Sequence, residues 1–485
     1  MRTPLWLQSD HNAAKDATKK KEEKMFFGDK VFLENDKAVE LYEYAKSLPI
    51  FDYHCHLAPQ DILGDKVFSN LTELWLNGDH YKWRIMRAYG VDEKFITGDG
   101  DDKEKFFRFA EALPHFIGNP VYHWAHLELK KYFDLTLPIC PKNAEEIWTR
   151  TLEKMADGSF SAKKLIEGSN VCAVVTTDDP IDDLSAHRAI AGEDNPFKVL
   201  PCFRADRLIN IDKPDYADYV KKLGEVAGVE IKGFNELLEA VERRLDFFVA
   251  NGATAVDIGM EDFPFGYGDV SQCDDILEDR LDEKFIDDDD KAEFQFTLMA
   301  HIAKMLRDRD MVMQLHVGVI RNCNTVLFDR CGVDVGGDSV ANVFNVNNAR
   351  DFLDYVEQNG GLPKTIIYTL NPTAYYPLAT LIGDFQGGER GKIQLGAAWW
   401  FMDHRDGIKE QMRVLSSTGG LGLFNGMLTD SRSFTSYARH DYFRRIFCSL
   451  VGEWVESGEY PDDKETLENL VRNVCIDNAK IYFGV

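Results

Sequence analysis

The fold class predicted by this chain of 485 residues is α/β, and three observations predict it. Eight short, β-rich apolar runs recur along the sequence, amphipathic stretches of helical period fill most intervals between them, and no Gly-rich nucleotide turn follows the first run, as a doubly wound open sheet would more often carry. Eight strands with helical crossovers describe a (β/α)8 barrel of the TIM type with parallel strands. The runs are 50–56, 171–176, 198–204, 253–258, 311–317, 365–370, 392–397 and 424–429. Helical patterns over 216–226, 234–250, 291–309 and 348–359 supply crossovers. The interval 57–170 is far too long for one crossover. Aromatic and charged residues at helical spacing over 74–89 and 122–132 make it a helical insertion after strand 1. The domain reading is therefore 1–24 as a polar, aperiodic, disordered N-terminal extension, 25–57 with 171–485 as the barrel, and 58–170 as an inserted helical subdomain, with 437–483 reading as barrel-closing helices.

At 44% hydrophobic the chain has enough apolar side chains for a large core. No apolar run is long enough to cross a bilayer and the N-terminus has no secretory hydrophobic core, so a soluble, cytoplasmic protein is expected. Nine cysteines without a CxxC pair fit reduced thiols, and Cys55 reads as packing. A formal net charge of −26 argues against nucleic acid or an anionic membrane as partner, since both reward basic patches. An anionic small molecule would need local arginines to overcome that field. The acidic run 287–290 reads as solvated loop.

Chemistry is expected where the runs end, because βα loops build barrel active sites. The first run, Phe51-Asp52-Tyr53-His54-Cys55-His56-Leu57, alternates faces as a strand and places Asp52, His54 and His56 on one side. Two imidazoles on one face can grip a divalent ion, or be two hydrogen-bonded histidines at a polar strand end. The eighth run ends in Asp430-Ser431-Arg432 and would close the barrel beside the first. Asp430 is thus the carboxylate candidate for a metal set with His54 and His56, its alternative being an N-cap for the final helix. His316, in Gln314-Leu315-His316-Val317-Gly318, reads as a third imidazole ligand, a group supporting the ligands, or a satisfied core histidine. Arg204 and Arg432 offer planar forks for a carboxylate or vicinal hydroxyls, or are structural ion pairs. Gly78-Asp79-His80-Tyr81-Lys82-Trp83 is dense in groups that bond a sugar or move a proton, or is a helix start capped by Asp79. His123 and His126 read as packing within the insertion.

Taken with Thr177-Asp178-Asp179-Pro180 and Ala398-Trp399-Trp400-Phe401, these motifs resemble uronate isomerase (glucuronate isomerase), a non-hydrolytic branch of the amidohydrolase superfamily, from about Met25 to the C-terminus. The resemblance implies a distorted (β/α)8 barrel that interconverts D-glucuronate with D-fructuronate and D-galacturonate with D-tagaturonate. It implies one divalent metal, usually zinc, on His54, His56 and Asp430, with His316 close by. Arg204 and Arg432 would bind substrate oxygens, and His80, Tyr81 and Trp400 would line the sugar pocket. One departure is visible: relatives often carry a histidine directly after the strand-four aspartate, whereas Asp257 is followed by Ile258. Isomerisation through an enediol needs a base near C2, an acid near the C1 oxygen and a positive centre. Asp430 or a metal-activated water is the base, and His80 or Tyr81 the proton shuttle. A mononuclear metal-dependent hydrolase is the alternative, against which stand the absence of a lysine in 254–257 and Asn371, not histidine, ending the sixth run. A non-catalytic sugar-acid binder is a third reading. The expected partner is a small uronate; the number of subunits, homo-oligomer included, is left open.

Overall fold

The computed structural model describes residues 26–341 and 344–485; the extension read at 1–24 lies outside the described residues. The molecule is α/β with parallel sheets. Strands β1 (Ile50–Asp52), β2 (Val171–Val175) and β3 (Lys198–Leu200) form one parallel sheet in that order. The second sheet takes β4 (Phe203–Arg204), β5 (Ala255–Met260) and β6 (Val312–Val317) and then, after an antiparallel excursion through β7 (Val319–Ile320) and β8 (Ser339–Val340), β9 (Lys364–Thr369) and β10 (Ile393–Leu395). Its spatial order is β10-β9-β6-β5-β4. The register sets Arg204 opposite Asp257, and Gly259 opposite His316, so polar residues gather at one end of the sheet.

Backbone hydrogen bonds tie these sheets together. Asp178 N donates to Cys202 O and Arg204 N to Asp178 O, each at 2.9 Å, bridging the end of β2 to β4. Asp430 N donates to His54 O at 3.2 Å and His56 N to Ser431 O at 3.0 Å, which joins the eighth run to the first. One large apolar cluster packs helices on strands, and a second gathers Phe51, Tyr53, Ala173, Val175, Ala255, Val312, Ile366 and Tyr368 from five strand segments against Tyr482 and Phe483.

Three strand expectations are corrected. Run 198–204 breaks into β3 and β4 around Pro201, which has no N–H for a ladder. The first run is strand only through Asp52; beyond it Asp52 turns its carboxylate to Thr429, while His54 and His56 reach Asp430. Run 424–429 forms no strand. Gly426 adopts φ +74° there, and the Gln394 amide stands in for the ladder, its Nε2 donating to Leu423 O at 3.1 Å and its Oε1 accepting Asn425 N at 3.2 Å. The acidic run is also no loop: Asp287 caps the helix Asp288–Arg307 by accepting Asp290 N, and carboxylates in a first turn favour the helix dipole.

Between β1 and β2 the chain is helical, including His80–Tyr89 and Pro120–Phe133. The expected helix over 74–89 divides at Asn77-Gly78-Asp79, where Gly78 has φ +99° and Asp79 accepts Tyr81 N and Lys82 N as an N-cap. His123 bonds Tyr442, and His126 accepts Ile139 N, so both are spent on packing. Helices Ala438–Glu456, Lys464–Arg472 and Asn478–Phe483 complete the chain, and all nine cysteines are free thiols. Among the described residues no helix is long and apolar enough to cross a membrane.

Candidate metal and active site

The two histidines beyond β1 and the aspartate of the eighth run meet. His54 Nε2 and His56 Nε2 stand 3.4 and 3.0 Å from the same oxygen, Asp430 Oδ1. Trp399 Nε1 donates to the other oxygen, Oδ2, at 2.8 Å. Asp430 is held with φ +46°, a conformation unfavourable for a residue with a Cβ that persists where the surroundings over-determine it. Those surroundings grip the preceding residue: Asp52 accepts Thr429 N and Oγ1 at 2.8 and 2.6 Å, and Arg439 donates to Thr429 O at 2.9 Å. On the far side of His56, its Nδ1 meets Thr177 Oγ1 at 2.9 Å.

His316 lies against His54, with ring centroids 4.7 Å apart, and stacks on Tyr368. Its Nδ1 is 2.7 Å from Asp257 Oδ1, a contact that favours the proton on Nδ1 and leaves the lone pair on Nε2. Among the described residues that Nε2 is buried without a hydrogen-bond partner, as is His54 Nδ1. Ligand atoms of His54, His56 and Asp430 lie within 4.8 Å of one another, as do those of His54, Asp257 and His316. Buried imidazole nitrogens lacking partners, gathered round carboxylate oxygens, fit a divalent cation.

Electrostatics follow from burial and pairing. Burial pushes the Asp430 carboxyl up, but hydrogen bonds to His54 and His56 outweigh it and hold the group well below the usual range. For Asp257 burial is likewise overcome, by His316, His54 and Arg204, and the carboxylate stays ionised. Burial lowers His56 to about 4, against the pull of Asp430, so the imidazole is neutral and free to ligate.

Arg204 donates Nε to Asp206 at 3.0 Å and lies 3.8 Å from Asp257, while Arg432 pairs with Asp334 at 2.9 Å. Both arginines are therefore paired, yet a guanidinium carries five donors and one carboxylate does not exhaust it. His80 stacks on Tyr81 and meets Trp400 edge-on at 5.1 Å; Trp400 has φ +47°. A cleft of about 650 Å³, its open mouth included, is lined by all three metal candidates, His80, His316, Arg204, Arg432 and Trp400. Tyr81 lines the adjoining cavity, which Asp430 and Arg432 also enter.

Residues 23–483 match the family described as glucuronate isomerase. The chain belongs to the glucuronate isomerase family. A uronate isomerase from Caldanaerobacter subterraneus subsp. tengcongensis is 46% identical over 95% of this chain and 99% of its own. The crystal structure of uronate isomerase from Thermotoga maritima has a TM-score of 0.90 at 33% identity, covering 95% of this chain and all (100%) of that one. That of glucuronate isomerase from Caulobacter crescentus has a TM-score of 0.86 at 25% identity, covering 96% of each.

Sequence reasoning missed several groups that this family member brings to the cleft. Asp257 had no role assigned, yet it anchors His316. Arg321, on the excursion after β7, donates to Asp338 at 2.8 Å and stands over the Trp400 ring. A lone arginine five residues past His316 carries no signal until the β7–β8 pair folds it over the cleft. Trp399, which had no role beyond the motif Ala398-Trp399-Trp400-Phe401, donates to Asp430.

Proposed function

We propose that this glucuronate isomerase family member interconverts D-glucuronate with D-fructuronate and D-galacturonate with D-tagaturonate by proton transfer through an enediol, in the cytoplasm and with one zinc ion. The observation that carries the reading is a single cleft in which two imidazoles and a carboxylate converge beside three guanidinium groups, in a chain of net charge −26. Such a cleft selects a small anion rich in hydroxyls. His54, His56 and Asp430 would hold the ion, with His316 adjacent. When bound it supplies positive charge for the developing enediolate. Asp430 takes the proton from C2 and delivers it to C1 of the enediol. His80 and Tyr81 move protons between the sugar oxygens, Arg204 and Arg432 hold those oxygens and the substrate carboxylate, and Trp400 packs against the sugar. The free thiols fit a reducing compartment.

For the fold we propose closure of the eight staves into a distorted barrel, with 25–57 and 171–485 as the barrel and 58–170 as its inserted subdomain. The support is the hydrogen bonding of the eighth run to the first and the inner cluster fed by five strand segments, because barrel interiors are filled by layers of strand side chains.

Incubation of the zinc-loaded protein with each uronate, followed by assay for ketose, tests the activity. Keto-sugar is expected; release of ammonia, an amine or an acid without ketose would overturn the reading in favour of hydrolysis. His54→Ala should lose both bound metal and turnover, and a variant that binds zinc normally counts against this ligand set.

A further inference from the structure

Beneath Tyr81 lies a buried charge cluster outside the proposed metal ligands. Tyr81 Oη and Asp403 Oδ2 are 3.2 Å apart. Asp403 is 2% exposed, and its other oxygen, Oδ1, has no hydrogen-bond partner among the described residues. The nearest cation, Arg439, is 3.9 Å away, outside hydrogen-bonding distance, and already donates to Thr429 O while its guanidinium lies 3.9 Å over the Trp124 ring. Three carboxyls whose oxygens are buried or nearly so, Asp79, Glu128 and Asp403, share two buried cations, Lys82 and Arg439. Asp79 takes Lys82 at 2.6 Å and two backbone N–H groups, and Glu128 accepts Thr435 Oγ1 at 2.7 Å. Two cations do not neutralise three carboxylates; burial raises Glu128 as well as Asp403, and Asp403, with one oxygen unpartnered among the described residues and no cation within hydrogen-bonding distance, is poorly placed to stand ionised.

On the reading of Tyr81 as a proton shuttle, we infer that Asp403 is a positioning residue for the isomerisation. Protonated, it donates to the Tyr81 oxygen and leaves the phenol O–H free to point into the cavity that Tyr81 shares with Asp430. Ionised, it accepts that O–H and turns it away from the sugar. Burial pushes the Asp403 carboxyl well above the ordinary range, against the opposing pull of Arg439, and Asp430 adds to the rise. The other charged or titratable groups around it are Asp79 and Lys82 at the start of His80–Tyr89, Glu128 of Pro120–Phe133, Tyr375, and Tyr442 of Ala438–Glu456. None of these is a second cation in contact with the carboxyl.

The test is kcat and KM of the zinc-loaded enzyme with D-glucuronate across about pH 6 to 10, for wild type, Asp403→Asn, Asp403→Leu, Tyr81→Phe and the double variant Tyr81→Phe/Asp403→Leu. Asp403→Asn, whose amide donates at every pH, should keep kcat within about tenfold and lose the alkaline limb of the wild-type profile, with KM and zinc content unchanged. Asp403→Leu should lose roughly 100-fold in kcat with KM within about threefold, the size expected for general acid–base chemistry. The double variant should be no slower than Tyr81→Phe alone. An alkaline limb that persists in Asp403→Asn, or losses that multiply in the double variant, overturns the role of Asp403 alone. A Tyr81→Phe enzyme as fast as wild type overturns the shuttle reading and this role with it. Should Asp403→Leu fail to fold, the Asp403→Asn profile still decides.

Discussion

Thr176, Asp178 and His187 form a buried cluster behind the strand that carries Thr177 to His56. Thr176 Oγ1 donates to Asp178 Oδ2 at 2.7 Å and meets His187 Nε2 at 2.8 Å. Burial raises Asp178 to about 7 and lowers His187 to about 4. The two linkages have opposite sign. Asp178 binds its proton more tightly folded than unfolded, so its contribution is greatest below about pH 4 and is lost as pH rises towards 7; His187 is the reverse, its contribution lost as pH falls from about 6.5 to 4. In the wild type they offset each other. Asp178→Asn should therefore show stability rising with pH between about 4 and 6.5, and His187→Gln stability falling over that span, each by at most about 1.4 kcal/mol per pH unit. Urea unfolding at several pH values reads both slopes, and variants that track the wild-type curve would sink the account. At the proposed metal site, Asp257→Asn keeps the shape of the pair with His316 but removes its charge. Zinc affinity should drop roughly 10- to 100-fold, as for other groups that orient metal-site histidines, and a zinc titration unchanged from wild type would show that Asp257 does not support the site.

At the scale of elements, one residue replaces a stretch of ladder. The Gln394 side chain spans from β10 to the eighth run through Leu423 O and Asn425 N. Gln394→Leu leaves both backbone groups buried without that partner and should cost on the order of 1–3 kcal/mol, read as a lower urea midpoint with unchanged m-value. The same residue explains what the sequence could and could not reveal. Helix Phe234–Ala250 was legible to the residue, because an apolar stripe of helical period runs unbroken between Gly233 and Asn251. The eighth run looks like a strand by composition, and only the facing Gln394 and the positive φ of Gly426 show that its pairing is made by side chains. His54, His56 and Asp430 were readable because each ends an apolar run, and the expected barrel order sets the first run beside the eighth, which backbone hydrogen bonds do join. Asp257, Arg321 and Asp403 were not, because each acquires its role through one contact with a residue 50 or more positions away or through a loop excursion: Asp257 to His316, Arg321 over Trp400, Asp403 to Tyr81.

The whole molecule sets a conflict between range and sign. A chain of net charge −26 repels an anion at long range, while Arg204, Arg321 and Arg432, which line the cleft, would attract the proposed uronate inside it. Screening separates the two, since the Debye length is about 30 Å at 0.01 M salt and about 10 Å at 0.1 M. The field of the whole surface acts over the longer distance and is cut by salt; contacts between a guanidinium and a bound carboxylate, a few ångströms apart, are screened much less. For the proposed uronate substrate, kcat/KM should therefore rise as salt is raised from about 0.01 to 0.1 M, opposite to the fall seen when a protein steers an oppositely charged ligand. Arg432→Gln removes a cation within the cleft and changes the net charge by one in twenty-six. It should lower kcat/KM at every salt concentration while leaving the salt-driven rise almost as steep. Steady-state rates on both enzymes over a sodium chloride series decide the matter: a wild-type kcat/KM that falls from the lowest salt onward would mean that the cleft's arginines, not the acidic surface, govern the approach of the substrate.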